Sequence, residues 1–489
     1  MAQQWNNQLN DIAGSLSWFI PELILALFLL LLIALALFKT NRTVLLTCCM
    51  AGFILSGVGV MATGLSTQAT LFGGMTRVDG LASYLKILID LAGFITCLMS
   101  FEKPSTHRAE YFALLMAVVL GGHLLVASTH FLMIFLSLEL ISLSSYVLAG
   151  YSFTKAGSEG SLKYFLFGSV ASAVMLYGFS FLYGITGTLD FSSQVFFDQL
   201  IAKDVPMVLF AALMVLAGFL YKIAAAPMHP WAPDVYEASP IPVMAFLSVA
   251  PKLAGLGVLL KFVLAMNLFG QSSADWQAIV CAVLLLTITI GNFSALRQQN
   301  PKRLMAYSSI AQSGFLLVGV AAFLPQGVHF MLFYASVYLI MNFAVFVYLD
   351  FFEKKSITSI AGFSGAGKNL TWPSIGLLVG LIALTGLPPT AGFTAKLFIF
   401  SALWQSYELS GRALLLWVVV IGLLNTVVSL FYYLRIPYFA FLKSGEPAEK
   451  QNNITFQNLL GFILVLLLLT LFFIPGILMG WINKINFVL

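Results

Sequence analysis

With 489 residues, 60% of them hydrophobic and only 9% charged, this chain is excluded from the soluble globular proteins. Apolar blocks recur along nearly its whole length and leave no room for a soluble catalytic domain. The net charge of +5 bears on topology rather than on nucleic acid, because the basic residues are scattered through loops.

The N-terminal MAQQWNNQLNDIAGS carries no Lys or Arg, and the apolar run after it is longer than a signal-peptide core. That run, 16–38, opens a series of fourteen predicted spans. The next are 43–64, 80–101, 109–127, 129–151, 160–185, 205–226 and 240–266. The last six are 273–295, 302–323, 326–351, 372–402, 411–442 and 455–482. Segment 190–202 (DFSSQVFFDQLIA) is too polar to span and reads as an interfacial helix. Cys48, Cys49, Cys97 and Cys281 fall inside spans without CxxC or Cys/His spacing, so they read as small core residues, with neither metal nor disulfide.

The basic residues test this count. Six of the 24 Lys and Arg lie inside spans: Lys86, Lys163, Lys222, Lys252, Lys261 and Lys396. Fourteen lie on the side opposite the N-terminus: Lys39, Arg42, Lys103, Arg108, Lys155, Arg297, Lys302, Arg303, Lys354, Lys355, Lys368, Arg435, Lys443 and Lys450. Four lie on the N-terminal side: Arg77, Lys203, Arg412 and Lys484. This bias predicts both termini outside and the alternate loops in the cytoplasm.

Ionisable residues inside the spans are the strongest functional signal. Glu139 is central in its span, and Lys222, Lys252 and Lys396 lie deep in theirs. An insertion scale assigns about 2.5–3.5 kcal/mol to such a residue, roughly 10–14 kcal/mol for the four. Retaining them points to charge movement, and the proton is the expected cargo because carboxylate and amine both carry it. Glu139 shares a helix face with Ser142 and Tyr146, a polar stripe that should face protein or water. The plainer reading is an ion pair that holds two helices together.

Three of these residues stand beside prolines. Pro227 follows Lys222 and denies a backbone donor, Pro251 precedes Lys252, and Pro388 and Pro389 interrupt the 372–402 run ahead of Lys396. Non-helical backbone at that depth requires protein or a watery cavity to cover it. The breaks fall in the seventh and twelfth spans, five apart. Two inverted five-helix repeats, spans 4–8 and 9–13, are therefore expected, with an ion site at the breaks.

Other residues read more modestly. Lys163 lies about a turn inside its span and either snorkels or takes part. Lys261, near the outer end of its span, is expected to snorkel and to be replaceable by Ala with little effect. Lys86 and Asp90 have the i,i+4 spacing of a self-neutralising pair. His229, in AAAPMHPWAPD at the helix break, is either a proton relay or a satisfied loop histidine. His123 and His130 read as ordinary residues flanking a short outer loop. GFSGAGK (362–368) resembles the start of a phosphate loop, but Asn369 replaces the magnesium-binding Ser/Thr and no βα context surrounds it. It is expected to be a flexible cytoplasmic loop.

Four stretches then carry a resemblance covering essentially the whole chain. FLSLELISLSSYVLAGY resembles the fifth-helix glutamate motif of the antiporter-like membrane subunits of respiratory complex I. That family is shared with multisubunit cation/proton antiporters and membrane-bound hydrogenases. YKIAAAPMHPWAPDVYEASPIPVMAFLSVAPKLA is similar to its seventh–eighth helix region, NPKRLMAYSSIAQSGF to its tenth helix and GLPPTAGFTAKLF to its broken twelfth. FLSVAPKLA with Lys252, and Lys396 where M types usually carry glutamate, resemble the N-type branch over the M and L types. Gln312 departs from the family, in which histidine is frequent at that position.

The resemblance implies an all-α membrane protein that pumps protons through a Glu/Lys row, driven by electron transfer elsewhere in a complex. It implies that Glu139 is the carboxylate near the cytoplasmic half-channel and Lys222 its partner. Lys252 would be the central carrier, Lys396 the lysine towards the exit and Lys163 a secondary participant. No cofactor is expected in this chain; NADH, FMN, iron–sulfur clusters and quinone would belong to other subunits. Expected partners are other complex I membrane subunits, especially a second antiporter-like subunit and small membrane subunits, together with lipid and protons in a bacterial inner membrane. A subunit of a stand-alone sodium/proton antiporter, a structural membrane subunit with paired charges and a solute carrier are the competing readings.

Overall fold

The protein's computed structural model describes residues 11–38, 40–64, 68–101, 108–201, 205–268, 275–445 and 455–485. Of the loop cations counted above, Lys39, Lys103, Lys203 and Lys450 lie outside the described residues. Apolar segments with no water to bond must satisfy their backbone internally, and they do so as helices. In chain order these are α1 (Asp11–Trp18), α2 (Ile20–Ala36), α3 (Arg42–Thr63), α4 (Gly80–Ser100), α5 (Ala109–Ala127), α6 (Phe131–Ala149) and α7 (Lys155–Thr186). The short α8 (Gln194–Ile201), α9 (Val205–Lys222), α10 (Trp231–Ala238), α11 (Ile241–Leu268), α12 (Trp276–Ala295), α13 (Pro301–Ala321) and α14 (Pro325–Lys354) follow. Last come α15 (Ala366–Asn369), α16 (Thr371–Thr385), α17 (Ala391–Ser410), α18 (Ala413–Leu442), α19 (Phe456–Phe473) and α20 (Gly476–Ile482).

Every one of the fourteen expected spans is occupied by helix. Among the described residues, eleven helices are long and apolar enough to cross a membrane, and α1–α2, bent by 76°, makes a twelfth. The remaining two positions are the interrupted ones. The apolar part of α9 stops at Lys222 and α16 stops at Thr385, both shorter than a full crossing. Pro251 differs: α11 runs straight through it for 28 residues.

The chain divides into two compact units. The first comprises Met1–Ile223, Ala250–Trp276 and Lys484–Leu489. Within it an antiparallel hairpin of β1 (Ala69–Leu71) and β2 (Thr76–Val78) precedes α4. Asp79 caps α4 by accepting from Ala82 N at 2.7 Å. The second unit comprises Ala224–Val249 and Gln277–Asn483.

Four expectations are corrected here. Lys86 does not neutralise Asp90; it pairs with Glu22 at 2.6 Å, while Asp90 faces His123 at 3.1 Å. Tertiary neighbours thus displace the i,i+4 partner, and His123 is fully buried within α5 rather than an ordinary loop residue. Lys261 does not snorkel: it is 3% exposed, 2.6 Å from Asp79 Oδ2, and donates to Val126 O at 2.8 Å. Residues 362–368 are packed rather than loose, with Phe363 and Ala366 buried and the Phe352 and Phe363 rings 4.9 Å apart.

Because Lys261 is the cation that neutralises buried Asp79, Lys261→Ala is now expected to be costly, by about 3–5 kcal/mol. Thermal unfolding of the assembled protein measures this, and an unchanged midpoint refutes the pairing.

Candidate functional site

In the first unit the site is built on α6, α7, α9 and α11. Glu139, half-buried on α6, accepts a hydrogen bond from Ser172 Oγ of α7 at 2.6 Å. Gly168 makes that approach possible, since a Cβ there would overlap the Tyr146 hydroxyl. One turn later on the same face, Ser172 reaches the carboxylate. Three residues beyond Glu139, Ser142 accepts from Lys222 Nζ at 3.1 Å. Among the described residues no direct ion pair joins Glu139 to Lys222. Ser142 is the hydroxyl common to the carboxylate's helix face and the amine.

Lys222 is 3% exposed and is the last residue of α9. A cation suits the end of a helix, where unpaired carbonyls leave a partial negative charge. The helix stops here because Pro227 offers no donor to the carbonyl four residues back. Tyr221 beside it donates to Tyr164 O at 2.9 Å, and the Tyr146 and Tyr164 rings meet edge-on at 4.7 Å.

Lys252 is 1% exposed on α11. One turn on, Gly255 lies against the Lys222 stem, where an added Cβ would be 3.2 Å from Cγ. The faces carrying Lys222 and Lys252 are therefore in contact. The first unit thus brings Glu139, Lys222 and the Lys252 face together, on three helices.

In the second unit Lys396, 4% exposed in the second turn of α17, reaches back across the α16 break. Its Nζ donates to Thr385 O at 2.7 Å and Leu384 O at 3.3 Å, and lies 4.2 Å from the Phe315 ring centroid. It serves the orphan carbonyls of a half-helix C-terminus, as expected for a broken span. Gln312 Nε2 shares Leu384 O at 3.1 Å and also donates to the Tyr433 hydroxyl at 3.3 Å, and its Oε1 accepts from Tyr334. Next to it, the Tyr338 hydroxyl donates to Ser248 O and meets Ser309 Oγ, both at 3.0 Å.

Apart from Gln312, this hydroxyl–amide seam escaped the sequence reading, as did Ser172 and Gly168. Its signal was present as SSIAQS in α13 and as Tyr334, Tyr338 and Asn342 at steps of four in α14. Taken singly, Ser and Tyr in apolar helices carry little information.

Two candidates are placed elsewhere. Lys163 pairs with Glu159 at 2.9 Å on an exposed face of α7, the side chains 41% and 63% exposed. His229 is half-buried at the break before α10; among the described residues its Nδ1 has no hydrogen-bond partner. The NPKR stretch anchors a surface network, with Arg303 2.9 Å from Asp234 and 2.8 Å from Glu237, and Lys302 2.7 Å from Glu353. Among the described residues no group of three or more His, Cys, Asp or Glu could hold a metal ion.

Chemically, the arrangement sets a carboxyl and buried amines among hydroxyls, amides and backbone carbonyls. Residues 128–427 match the family described as "NADH:quinone oxidoreductase/Mrp antiporter, TM". The chain is 38% identical over 479 residues to NADH-quinone oxidoreductase subunit N of Chlorobium chlorochromatii, covering 94% of this chain and 92% of that one. It is 35% identical over 456 residues to NAD(P)H-quinone oxidoreductase subunit 2 of Gloeothece citriformis, covering 92% and 86%. A chain of respiratory complex I from Thermus thermophilus superposes with a TM-score of 0.80 at 27% identity, over 95% of this chain and all of that one. A chain of the Mrp complex from Dietzia shares the fold, with a TM-score of 0.82 at 18% identity over 96% and 97%.

Proposed function

Because the chain belongs to the NADH:quinone oxidoreductase/Mrp antiporter transmembrane family, we propose that it is a proton-translocating membrane subunit of a respiratory NADH:quinone oxidoreductase. The observation that carries this reading is Lys222, a buried amine at the end of a broken helix, held by a hydroxyl one turn from Glu139. Burial favours the free amine and a nearby carboxylate favours the ammonium. Moving Glu139 towards Ser142 loads a proton on Lys222, and withdrawing it releases the proton towards Lys252. Lys396 performs the same exchange in the second unit, where the half-helix carbonyls hold the ammonium. Gln312 accepts and donates hydrogen bonds but does not titrate, so it orients the seam rather than carrying charge.

Lys163, already neutralised on an exposed face, and His229 are assigned only secondary parts. The chain carries no redox group of its own in this reading. NADH, flavin, iron–sulfur and quinone chemistry belong to partner subunits, and the energy arrives through a second antiporter-like subunit or small membrane subunits. The excess of basic residues in the alternate loops supports both termini lying on the periplasmic side of a bacterial inner membrane.

Purification in mild detergent tests this. Co-purification with iron–sulfur and hydrogenase-like subunits, and rotenone-type loss of pumping when quinone reduction is blocked, are expected. Recovery with only a short set of antiporter subunits, exchanging sodium for protons without redox input, overturns the redox assignment.

A further inference from the structure

Glu22, Lys86, Asp90 and His123, from α2, α4 and α5, are each at most 4% exposed. All four precede residue 128, where the family match begins, and none takes part in the Glu139–Lys222 site. Lys86 Nζ is 2.6 Å from Glu22 Oε1, and Ser56 Oγ donates to Asp90 Oδ2 at 3.0 Å. His123 lies between the carboxylates, its Nδ1 3.6 Å from Glu22 Oε1 and its Nε2 3.1 Å from Asp90 Oδ1.

A neutral imidazole has one N–H and one lone pair, so one nitrogen would turn a lone pair towards an anion. Neither ring nitrogen completes a hydrogen bond at these contacts, but an imidazolium turns a positively charged N–H edge towards each carboxylate at ion-pair distance. Charge counting agrees: two carboxylates and one ammonium sum to −1, which an imidazolium cancels. Among the described residues the surrounding elements supply no substitute. Lys261 and Asp79 neutralise each other at 2.6 Å with Arg77 beyond, and Glu139 of α6 is turned to Ser172.

We propose that these four side chains form a second buried proton site, separate from the Glu139–Lys222 site, in which His123 holds one proton between Glu22 and Asp90. Losing the proton leaves an uncompensated negative charge in the apolar interior, so exchange requires a carboxylate to move. Glu22 is in the first turn of α2, just past the 76° bend, which makes α2 the element whose displacement would release the proton.

Two measurements on the purified complex test this. Infrared spectra with ring-13C histidine should contain an imidazolium band from a ring shielded from solvent exchange. That band should vanish in His123→Gln; an unchanged band overturns the proposal. Charge counting supplies the second arm. His123→Gln and Asp90→Asn should each lower the yield of assembled complex about tenfold or more, because each leaves one buried charge uncancelled. The double variant restores neutrality and should recover most of the yield, and it repeats the spectroscopic comparison should the single variants fold poorly. If histidine is neutral instead, His123→Gln assembles like wild type, and the proposal falls.

Discussion

Lys222→Ala is expected to reduce NADH-driven proton pumping in reconstituted vesicles by at least an order of magnitude while the complex still assembles. Each pKa unit of lost interaction is about 1.4 kcal/mol, a factor of ten in proton occupancy, and this substitution removes the carrier altogether. Glu139→Gln should produce a comparable loss, because an amide cannot switch the charge beside Ser142. Lys222→Arg separates the two meanings of a buried cation. Arginine retains the charge but does not release its proton, so it should pump as poorly as alanine. If Lys222 were only a staple between helices, arginine would restore function, and the neutral variants would fail in assembly before they failed in transport. Full pumping by Lys222→Ala and Glu139→Gln would remove both residues from the mechanism. Lys163→Ala should cost far less than either, since its ion pair with Glu159 is exposed and worth about 0–1 kcal/mol.

Gly392→Ala should be as damaging through packing alone. Gly392 lies in the first turn of α17, and a Cβ there would overlap the carbonyl oxygen of Ala383 on α16. Backbone cannot yield as a side-chain tip can, so the two half-helices must separate, at about 1–3 kcal/mol. The same separation draws Lys396 away from Thr385 O and Leu384 O, which it now reaches at 2.7 and 3.3 Å. Hydrogen bonds from a charged donor contribute about 1.5–3 kcal/mol. A lower unfolding midpoint together with reduced pumping is the expected outcome. Lys396→Met isolates the second effect, keeping the packing while removing the proton carrier. Wild-type melting and pumping in Gly392→Ala would show that the α16–α17 contact is not needed.

The spans and both breaks were legible because hydrocarbon enforces one solution on an apolar segment, a helix, and Pro227 and the Pro388–Pro389 pair interrupt it, whereas α11 continues through Pro251. Glu139 was legible for the same reason: a carboxylate at bilayer depth stands out against Leu and Phe whatever its partners. The i,i+3 relation of Glu139 to Ser142 also follows from helix geometry, and Ser142 is the residue that holds Lys222.

Partner choice was not legible. Spacing along α4 suggested that Lys86 and Asp90 satisfy each other, yet Glu22, 64 positions away in the chain, takes the lysine, and His123 takes the aspartate. Position in the span predicts that Lys261 snorkels, whereas Asp79 lies 2.6 Å from it. An i,i+4 contact contributes only a few tenths of a kcal/mol, whereas leaving a buried charge unpaired costs several, so tertiary neighbours overrule the helix register. The sequence by itself therefore determined that this chain spans a membrane, where two of its spans are interrupted and that Glu139, Lys222, Lys252 and Lys396 lie within spans, but it did not single out Glu22 or His123. Only the tertiary structure decided which of those charges meet, because that depends on how closely helices approach at positions such as Gly168 and Gly392, and residue periodicity does not record those distances.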